Sequence, residues 1–237
     1  MVRTTLRYIA LSCVAFASLI LLRGTALAGP PLLCVSFEIG EAKSLPWSGS
    51  KWRDVKADYD IKRLPDDVLA LLAPDVPVIV RMETLRRATI YAVWSMVDHE
   101  VNYAARDQKI ADELLGRLIA RARDAKKGSR LEALALFDAG FLAECYRQAM
   151  LGARGLKFAH DVDGYAWVNN AIRLTKGDPQ MEFAAAIIAL EPRRESHLAH
   201  LQKAVDGAAS DPLLDRNLIS YFERRGTSLA ALRAKKQ

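Results

Sequence analysis

The sequence predicts an all-α protein of antiparallel helix pairs that follow a short extended N-terminal arm. Apolar residues recur at helical spacing through most of the chain beyond residue 64. Short links that end in glycine and a capping residue separate these stretches. Two helix starts, Asp178-Pro179 and Asp211-Pro212, lie 33 residues apart. One helix pair per 33 or so residues is the spacing of an α-solenoid.

Residues 1–28 have the features of a cleavable signal peptide. A basic start precedes an uncharged apolar run over residues 8–22, and a small-x-small pattern ends at Ala28. The run is about 15 residues long, whereas a membrane-spanning helix needs roughly 20. A retained N-terminal anchor is the alternative. We therefore expect cleavage after Ala28, a periplasmic or secreted protein, and no transmembrane span in the mature chain.

Charge and motifs narrow the classes of function. The chain of 237 residues carries a net charge of +6, and loss of the three arginines of the signal segment lowers it to +3. A charge this small on one domain does not predict a nucleic-acid partner. The chain has no phosphate-binding loop, dinucleotide fingerprint, nucleophile elbow, zinc-protease motif or C-x-x-C pair. We therefore expect no cofactor and a function other than catalysis.

The mature chain has two cysteines, Cys34 and Cys145. An exported chain lies in a compartment where disulfides persist, so these two residues are a candidate disulfide. Such a bridge would tie the N-terminal segment to a central helix. The alternative is a pair of buried thiols that never meet.

Residues 29–63 differ in composition from the rest, since they are rich in turn formers and aromatic residues. Alternation of apolar and polar residues over 35–39 allows a short strand. We favour an extended arm whose aromatic side chains, Trp47 and Trp52 among them, fix it to the helical body. In the alternative interpretation, Trp47 and Trp52 form an aromatic platform for a glycan or a peptide.

The helices follow in order over residues 64–237. Residues 76–80 have strand composition, but Pro77 and the helical spacing after it predict a helix that starts near Pro77. Ser129 and Glu132 form a candidate capping box. The other predicted helices cover residues 107–127, 178–190, 193–207 and 211–225.

Arg81, Arg86 and Arg87 lie on the helix predicted after Pro77. A basic stripe formed by Arg86 and Arg87 is a candidate surface for an acidic partner. The alternative is a solvated face with local ion pairs, such as Glu83–Arg87.

His197 and His200 are the candidate metal ligands, because their i, i+3 spacing places both imidazoles on one helical face. The sequence identifies no third ligand, and two polar-face histidines are the alternative. Two other groups combine acid–base residue types in predicted loops: Asp98, His99 and Glu100, and His160, Asp161 and Asp163. Solvated or helix-capping carboxylates are the alternative for these groups.

Residues 165–174, with Val168, Ala171 and Leu174 at three-residue spacing, resemble the second helix of a tetratricopeptide-type repeat. Residues 136–142, with Gly140, are similar to a first helix. The Trp-x-x-Leu-Gly-x-x-Tyr motif of those repeats is absent, and the link over residues 150–161 is long. The resemblance covers residues 129–225 and implies an α-solenoid with an interaction surface.

Three N-terminal strings, at residues 32–40, 44–47 and 81–88, resemble a group of uncharacterised exported bacterial proteins. That resemblance implies export and no particular activity.

These observations predict an exported, non-enzymatic helical-repeat module that binds a protein or peptide partner in the cell envelope. The domain division is a signal peptide at 1–28, an arm at 29–63 and a helical domain at 64–237. The alternatives are a metal-dependent enzyme or metal-binding protein that uses His197 and His200, and an envelope structural protein that contacts glycan.

Overall fold

The protein, analysed as a computed structural model, is described over residues 31–49, 51–93, 97–98, 104–105, 108–152, 155, 157–190 and 193–230. The predicted signal peptide lies outside the described residues. The same holds for His99, Glu100 and the basic C-terminal tail over 231–237.

The described chain is all-α apart from one two-residue ladder. The helices are α1 (Pro31–Cys34), α2 (Leu64–Leu71), α3 (Val78–Ala92), α4 (Lys109–Asp124), α5 (Arg130–Gly152), α6 (Gly164–Leu174), α7 (Pro179–Ile188), α8 (Arg194–Gly207) and α9 (Pro212–Glu223). Short 3₁₀ turns cover Ile61–Arg63 and Ala208–Ser210. The antiparallel ladder joins β1 (Val97–Asp98) to β2 (Ala104–Ala105). None of the described helices is long and apolar enough to cross a membrane.

Local capping chemistry sets several helix starts as the sequence predicts. The Asp178 side chain accepts hydrogen bonds from the first backbone N–H groups of α7, and Asp211 does the same for α9. A proline follows each cap at the first helical position. Ser129 accepts from the Glu132 backbone N–H at 3.1 Å. The Glu132 carboxylate accepts from the Gly128 backbone N–H at 2.6 Å, one residue earlier than a regular capping box requires.

Helix α3 is the central element of the fold. The predicted start near Pro77 is confirmed, since Pro77 is the residue before the first turn. The helix contacts α1, α2, α4, α5 and α7. Every α3 residue except Arg87 is buried, including the charged residues Arg81, Glu83 and Arg86. The charged residues of α3 are therefore part of the interior.

Arg81 and Asp138 form an ion pair with Nη1 and Oδ2 2.6 Å apart, and both side chains are fully buried. The same guanidinium donates to the backbone carbonyls of Leu72, Ala73 and Val76. Arg81 therefore closes the turn between α2 and α3 from inside. Burial raises the pKa of Asp138 to about 6, and the neighbouring Arg81 opposes that shift.

The N-terminal arm lies against α3 and α5 through its first turn. Leu32 and Leu33 are fully buried, and burial of one leucine side chain contributes about 1.5–3 kcal/mol. The Leu32 backbone N–H donates to Gln148 Oε1 on α5 at 2.9 Å. Residues 36–39 run as an extended segment without strand pairing, in agreement with the predicted arm.

Charged side chains of α3 hold the backbone of the arm. Glu83 accepts from the Phe37 N–H at 3.0 Å. Arg86 Nη1 donates to the carbonyls of Leu33, at 2.9 Å, and Trp52, at 3.3 Å. Arg87 Nη1 donates to the Leu45 carbonyl at 2.6 Å. The arm supplies carbonyl and N–H groups that these buried charges need as partners.

Consecutive helices pack as pairs in the second half of the chain. The most extensive packing joins α5 to α6 and α7 to α8. Two glycines bring α5 and α6 close together: a Cβ on Gly140 would lie 2.7 Å from the Gly164 carbonyl oxygen, and a Cβ on Gly164 would lie 2.3 Å from that of Gly140. Such distances exclude a side chain at either position.

Candidate functional site

The long link between α5 and α6 folds back over the start of α4. Gln108 Oε1 accepts from the Lys157 backbone N–H at 2.8 Å. Its amide nitrogen donates to the Gly155 carbonyl at 3.2 Å. One turn later, Asp112 accepts from the Ala159 N–H at 2.9 Å. These three bonds fix residues 157–162 as a wall opposite α5.

A cleft of about 430 Å³ lies between this wall, α4 and α5. This volume is within the range of small-ligand sites. The α5 residues of the lining recur at i, i+3, i+4 and i+7, so one face of the helix is exposed to the cleft. The lining residues are Leu115, Ala143, Tyr146, Arg147, Met150, Lys157, Phe158, His160, Asp161 and Val162.

The apolar side of the cleft is built on an aromatic pair. The rings of Tyr146 and Phe158 stack with centroids 4.5 Å apart and planes 18° apart. The Tyr146 hydroxyl donates to the Ala111 carbonyl at 3.2 Å, which fixes the ring. Burial raises the pKa of Tyr146 well above its usual range. Tyr146 is only 1% exposed, so it serves as the rigid base on which Phe158 packs.

Arg147 lies at the mouth of the cleft, with 43% of its side chain exposed. Glu144 orients it, because one carboxylate oxygen accepts a hydrogen bond from Arg147 Nε at 2.7 Å and forms an ion pair with Nη2 at 2.6 Å. The Glu144 side chain is only 5% exposed, and its other oxygen accepts from the Tyr165 backbone N–H at 3.2 Å. A buried carboxylate thus holds a half-exposed guanidinium in one orientation.

The wall supplies three further polar side chains: Lys157, His160 and Asp161 are all exposed. His160 lies over Gly116 of α4, where a Cβ would be only 2.8 Å from the imidazole Nε2. The group of His160, Asp161 and Asp163 that the sequence identified is therefore divided. The first two residues line the cleft, whereas Asp163 caps α6 by accepting from the Ala166 N–H at 2.9 Å.

The remaining residues of the cleft carry no sequence pattern that predicts a site. Arg147 and Lys157 stand in no recognisable motif, and Tyr146 and Phe158 are separated by the long link. Two signals were available. Glu144 and Arg147 have the i, i+3 spacing of a helical ion pair, and the link itself is long enough to be functional.

The predicted metal ligands His197 and His200 contact different partners. The His200 Nδ1–H donates to Glu182 Oε2, since a carboxylate can only accept. Its Nε2 lies 3.0 Å from the Tyr165 hydroxyl. His197 Nδ1 donates to the Ala186 carbonyl at 2.7 Å. Both rings therefore use their nitrogens in hydrogen bonds within the fold.

Within the ranges that the structure describes, no group of three or more His, Cys, Asp or Glu side chains is placed to hold a metal ion. Glu182, 1% exposed, bonds His200 and also pairs with Lys203 Nζ at 3.1 Å. The chain from Tyr165 through His200 to Glu182 ties α6, α7 and α8 together. Geometry therefore favours a structural role for both histidines.

The predicted partner surface at Arg86 and Arg87 requires a correction. Arg86 is fully buried and pairs with Glu83 through Nε, 2.7 Å from Oε2. Arg87 is 17% exposed and makes the predicted i, i+4 pair with Glu83 at 2.7 Å. Spacing alone placed the two arginines on a solvated face. They turn inward because Glu83 and the carbonyls of the arm satisfy them.

Trp47 and Trp52 are half-buried and pack against the core. The guanidinium carbons of Arg86 and Arg87 lie 5.1 Å and 5.3 Å from the Trp47 ring centroid. The Tyr91 ring meets Trp47 edge-on at 6.2 Å. Trp47 therefore anchors the arm, which leaves less of its surface for a glycan.

Cys34 and Cys145 are both free thiols, so the candidate disulfide is not formed in this structure. Cys34 is half-buried and Cys145 is buried. Burial raises the pKa of each thiol, which makes the reactive thiolate scarce.

Of the group Asp98, His99 and Glu100, the structure describes only the backbone of Asp98, in β1. Comparison of the chain with protein-family models, curated proteins and solved structures gives no match.

Proposed function

We propose that this chain is an exported, non-enzymatic helical module that binds a protein or peptide partner through the cleft between α4, α5 and residues 157–162. The observation that carries the proposal is a concave site in which the half-buried Phe158 and the exposed Met150 lie beside the charged side chains of Arg147, Lys157 and Asp161. Aromatic surfaces of this kind are enriched where proteins contact partners.

Exposed apolar side chains beside the cleft support a macromolecular partner. Met150 lines the cleft and is 38% exposed, and the adjacent Leu151 is 77% exposed. Among the described residues, the large exposed apolar side chains are Leu131, Met150, Leu151, Leu198 and Ile219. One of these five, Met150, lines the cleft, and Leu151 is the next residue of α5, so exposed apolar surface lies at the edge of the cleft.

We also propose that the helix pairs α5–α6 and α7–α8 are repeat-like units in the tetratricopeptide sense. Their pairing and the Asp-Pro start of α7 support this idea. A surface made of stacked helix pairs would place α5 where a partner can reach it.

Export rests on residues 1–28, which lie outside the described residues. Mass spectrometry of the protein isolated from its own cells tests it. An N-terminal peptide that starts at Gly29, in the envelope or external fraction, is the expected result. A chain that retains residues 1–28 in the cytosol contradicts export and leaves the binding proposal to its own test.

Site-specific photocrosslinking tests the binding proposal. A photoreactive amino acid at Leu151 should capture a partner from native extracts, whereas the same group at Leu131 should not. Leu131 is the matched control because it is 50% exposed and lies near the other end of α5. Met150→Glu should abolish the capture at Leu151. Equal labelling from both positions, or capture that Met150→Glu does not change, would exclude the cleft as the binding site.

A further inference from the structure

The charged side chains of the cleft indicate which part of a partner the cleft binds. We infer that the cleft binds the C-terminal residue of a peptide or protein, with an apolar last side chain on Phe158 and Met150 and the terminal carboxylate on Arg147. This inference rests on the proposed function and adds the chemistry of the ligand.

Arg147 is built to receive an anion. Glu144 engages Nε and Nη2, and among the described residues Nη1 has no hydrogen-bond partner. The guanidinium is therefore already oriented, so little side-chain entropy is lost when an anion binds. A second cation, Lys157, lines the cleft from the opposite wall.

The spacing of the two subsites favours a terminal carboxylate over an acidic side chain. Arg147 and Met150 lie three residues apart on α5, so their side chains are neighbours on one helix face, and both line the same cleft of about 430 Å³. A ligand must therefore carry its anion and its apolar group within one residue. A C-terminal residue does so, because its carboxylate and its side chain share one Cα. An internal Asp or Glu needs a neighbouring residue to supply the apolar group.

Asp161 is the one carboxylate among the lining residues, and it lies on the wall across from α5. It repels an anion on that side of the cleft, which directs the ligand carboxylate toward Arg147. The backbone N–H of a bound C-terminal residue can donate a hydrogen bond to the Asp161 carboxylate. With these contacts the cleft would distinguish the chain direction of the bound peptide as well as its C-terminus.

Calorimetric titration with synthetic peptides tests the inference. The protein is used in the form that is isolated from its own cells. The probes are acetylated hexapeptides Gly-Ser-Gly-Ser-Gly-X, with X as Leu, Phe, Met, Ser or Asp, each made as a free acid and as a C-terminal amide. We expect free acids that end in Leu, Phe or Met to bind. Their amides, and peptides that end in Ser or Asp, should bind about 10–100-fold more weakly, since a charge-assisted hydrogen bond is lost or the apolar contact is missing.

Variants connect the effect to the named cations. Arg147→Gln should remove most of the difference between acid and amide, whereas Arg123→Gln, an exposed arginine on α4, should not change it. Because Arg147→Gln leaves Glu144 without its partner, Lys157→Gln provides a second variant that spares this buried carboxylate. Lys157→Gln should weaken acids more than amides.

Two outcomes would overturn the inference and leave the proposed function standing. The first is equal binding of acids and amides. The second is a crosslinked partner whose contact at Leu151 maps far from its own C-terminus. Binding of free leucine as tightly as of the Leu-ending peptide would reassign the cleft to amino acids, and no binding of any probe would also refute the inference.

Discussion

The side-chain amide of Asn217 brackets the backbone of Glu38, 179 residues away in the sequence. Asn217 Oδ1 accepts from the Glu38 N–H at 3.0 Å, and Asn217 Nδ2 donates to the Glu38 carbonyl at 2.9 Å. Asn217 lies on α9, and its buried amide imitates the pairing of a neighbouring strand. This pair joins the N-terminal arm to the last described helix.

Replacing Asn217 with Ala should loosen the arm, because both backbone groups of Glu38 lose their partner. We expect the free energy of unfolding to fall by about 1–3 kcal/mol, measured by urea denaturation. Asn170→Ala is the control, since that side chain accepts only from the nearby Arg173 on the same helix. Equal losses of unfolding free energy from the two substitutions would show that the two hydrogen bonds between Asn217 and Glu38 make no specific contribution to stability.

The buried pair of Arg81 and Asp138 should show strong coupling in a double-mutant cycle. Arg81→Met or Asp138→Leu alone leaves an uncompensated buried charge, so each should cost about 3–5 kcal/mol. The double variant should lose less stability than the two single losses added together, because it removes both charges, while the carbonyls of Leu72, Ala73 and Val76 lose their donor once only. Urea denaturation of the four proteins measures the coupling. Additive losses would contradict it.

The same pair should make stability depend on pH between about 4 and 6. The pKa of Asp138 is raised from 3.8 to about 6 in the folded state. Within this window the folded protein keeps a proton that the unfolded chain has lost, so stability falls as the pH rises. The difference in unfolding free energy between wild type and the Arg81→Met/Asp138→Leu variant should therefore decrease from pH 4.5 to 6.5. An increase would mean that Arg81 stabilises the anion.

His200 should contribute to stability without any metal. His200→Ala leaves the buried Glu182 with Lys203 as its remaining charged contact, which should cost about 1–3 kcal/mol. The loss should be the same with and without a chelator, and the chelator should not change the wild type. The measurement is thermal unfolding of protein purified without a histidine tag. Stoichiometric zinc that disappears in His197→Ala would restore the metal-site hypothesis.

The two thiols should differ in reactivity. Cys34 is half-buried and Cys145 is fully enclosed in the core, so iodoacetamide at pH 8 should modify Cys34 first and Cys145 only after unfolding. Time-resolved mass spectrometry of the peptides measures both rates. A linked Cys34–Cys145 peptide in a non-reduced digest of the native protein would instead support the disulfide.

Local sequence signals predicted much of the secondary structure. The starts of α7 and α9 depend on Asp178 and Asp211, whose capping bonds reach only the next few residues. The start of α3 near Pro77 has an equally local cause. These elements could be predicted because neighbours in sequence decide them.

The interior charges and the cleft could not be predicted in this way. Arg86 has the spacing of a surface residue, and its burial depends on Glu83 and on carbonyls more than 30 residues away. The cleft wall depends on Gln108 and Asp112, nearly 50 residues before the backbone that they hold. Contacts over such distances leave no periodic trace in the sequence.

Leu32 and Leu33 are buried against helices that are synthesised much later in the chain, so the order of synthesis differs from the order in which the core packs. Their helix, α1, contacts α3, α5 and α7, and the last of these ends at Ile188. The first described residues to leave the ribosome must therefore wait for a chain segment made more than 140 residues later. Because local helices form faster than such distant contacts, we expect this leucine pair to complete its packing after its neighbours.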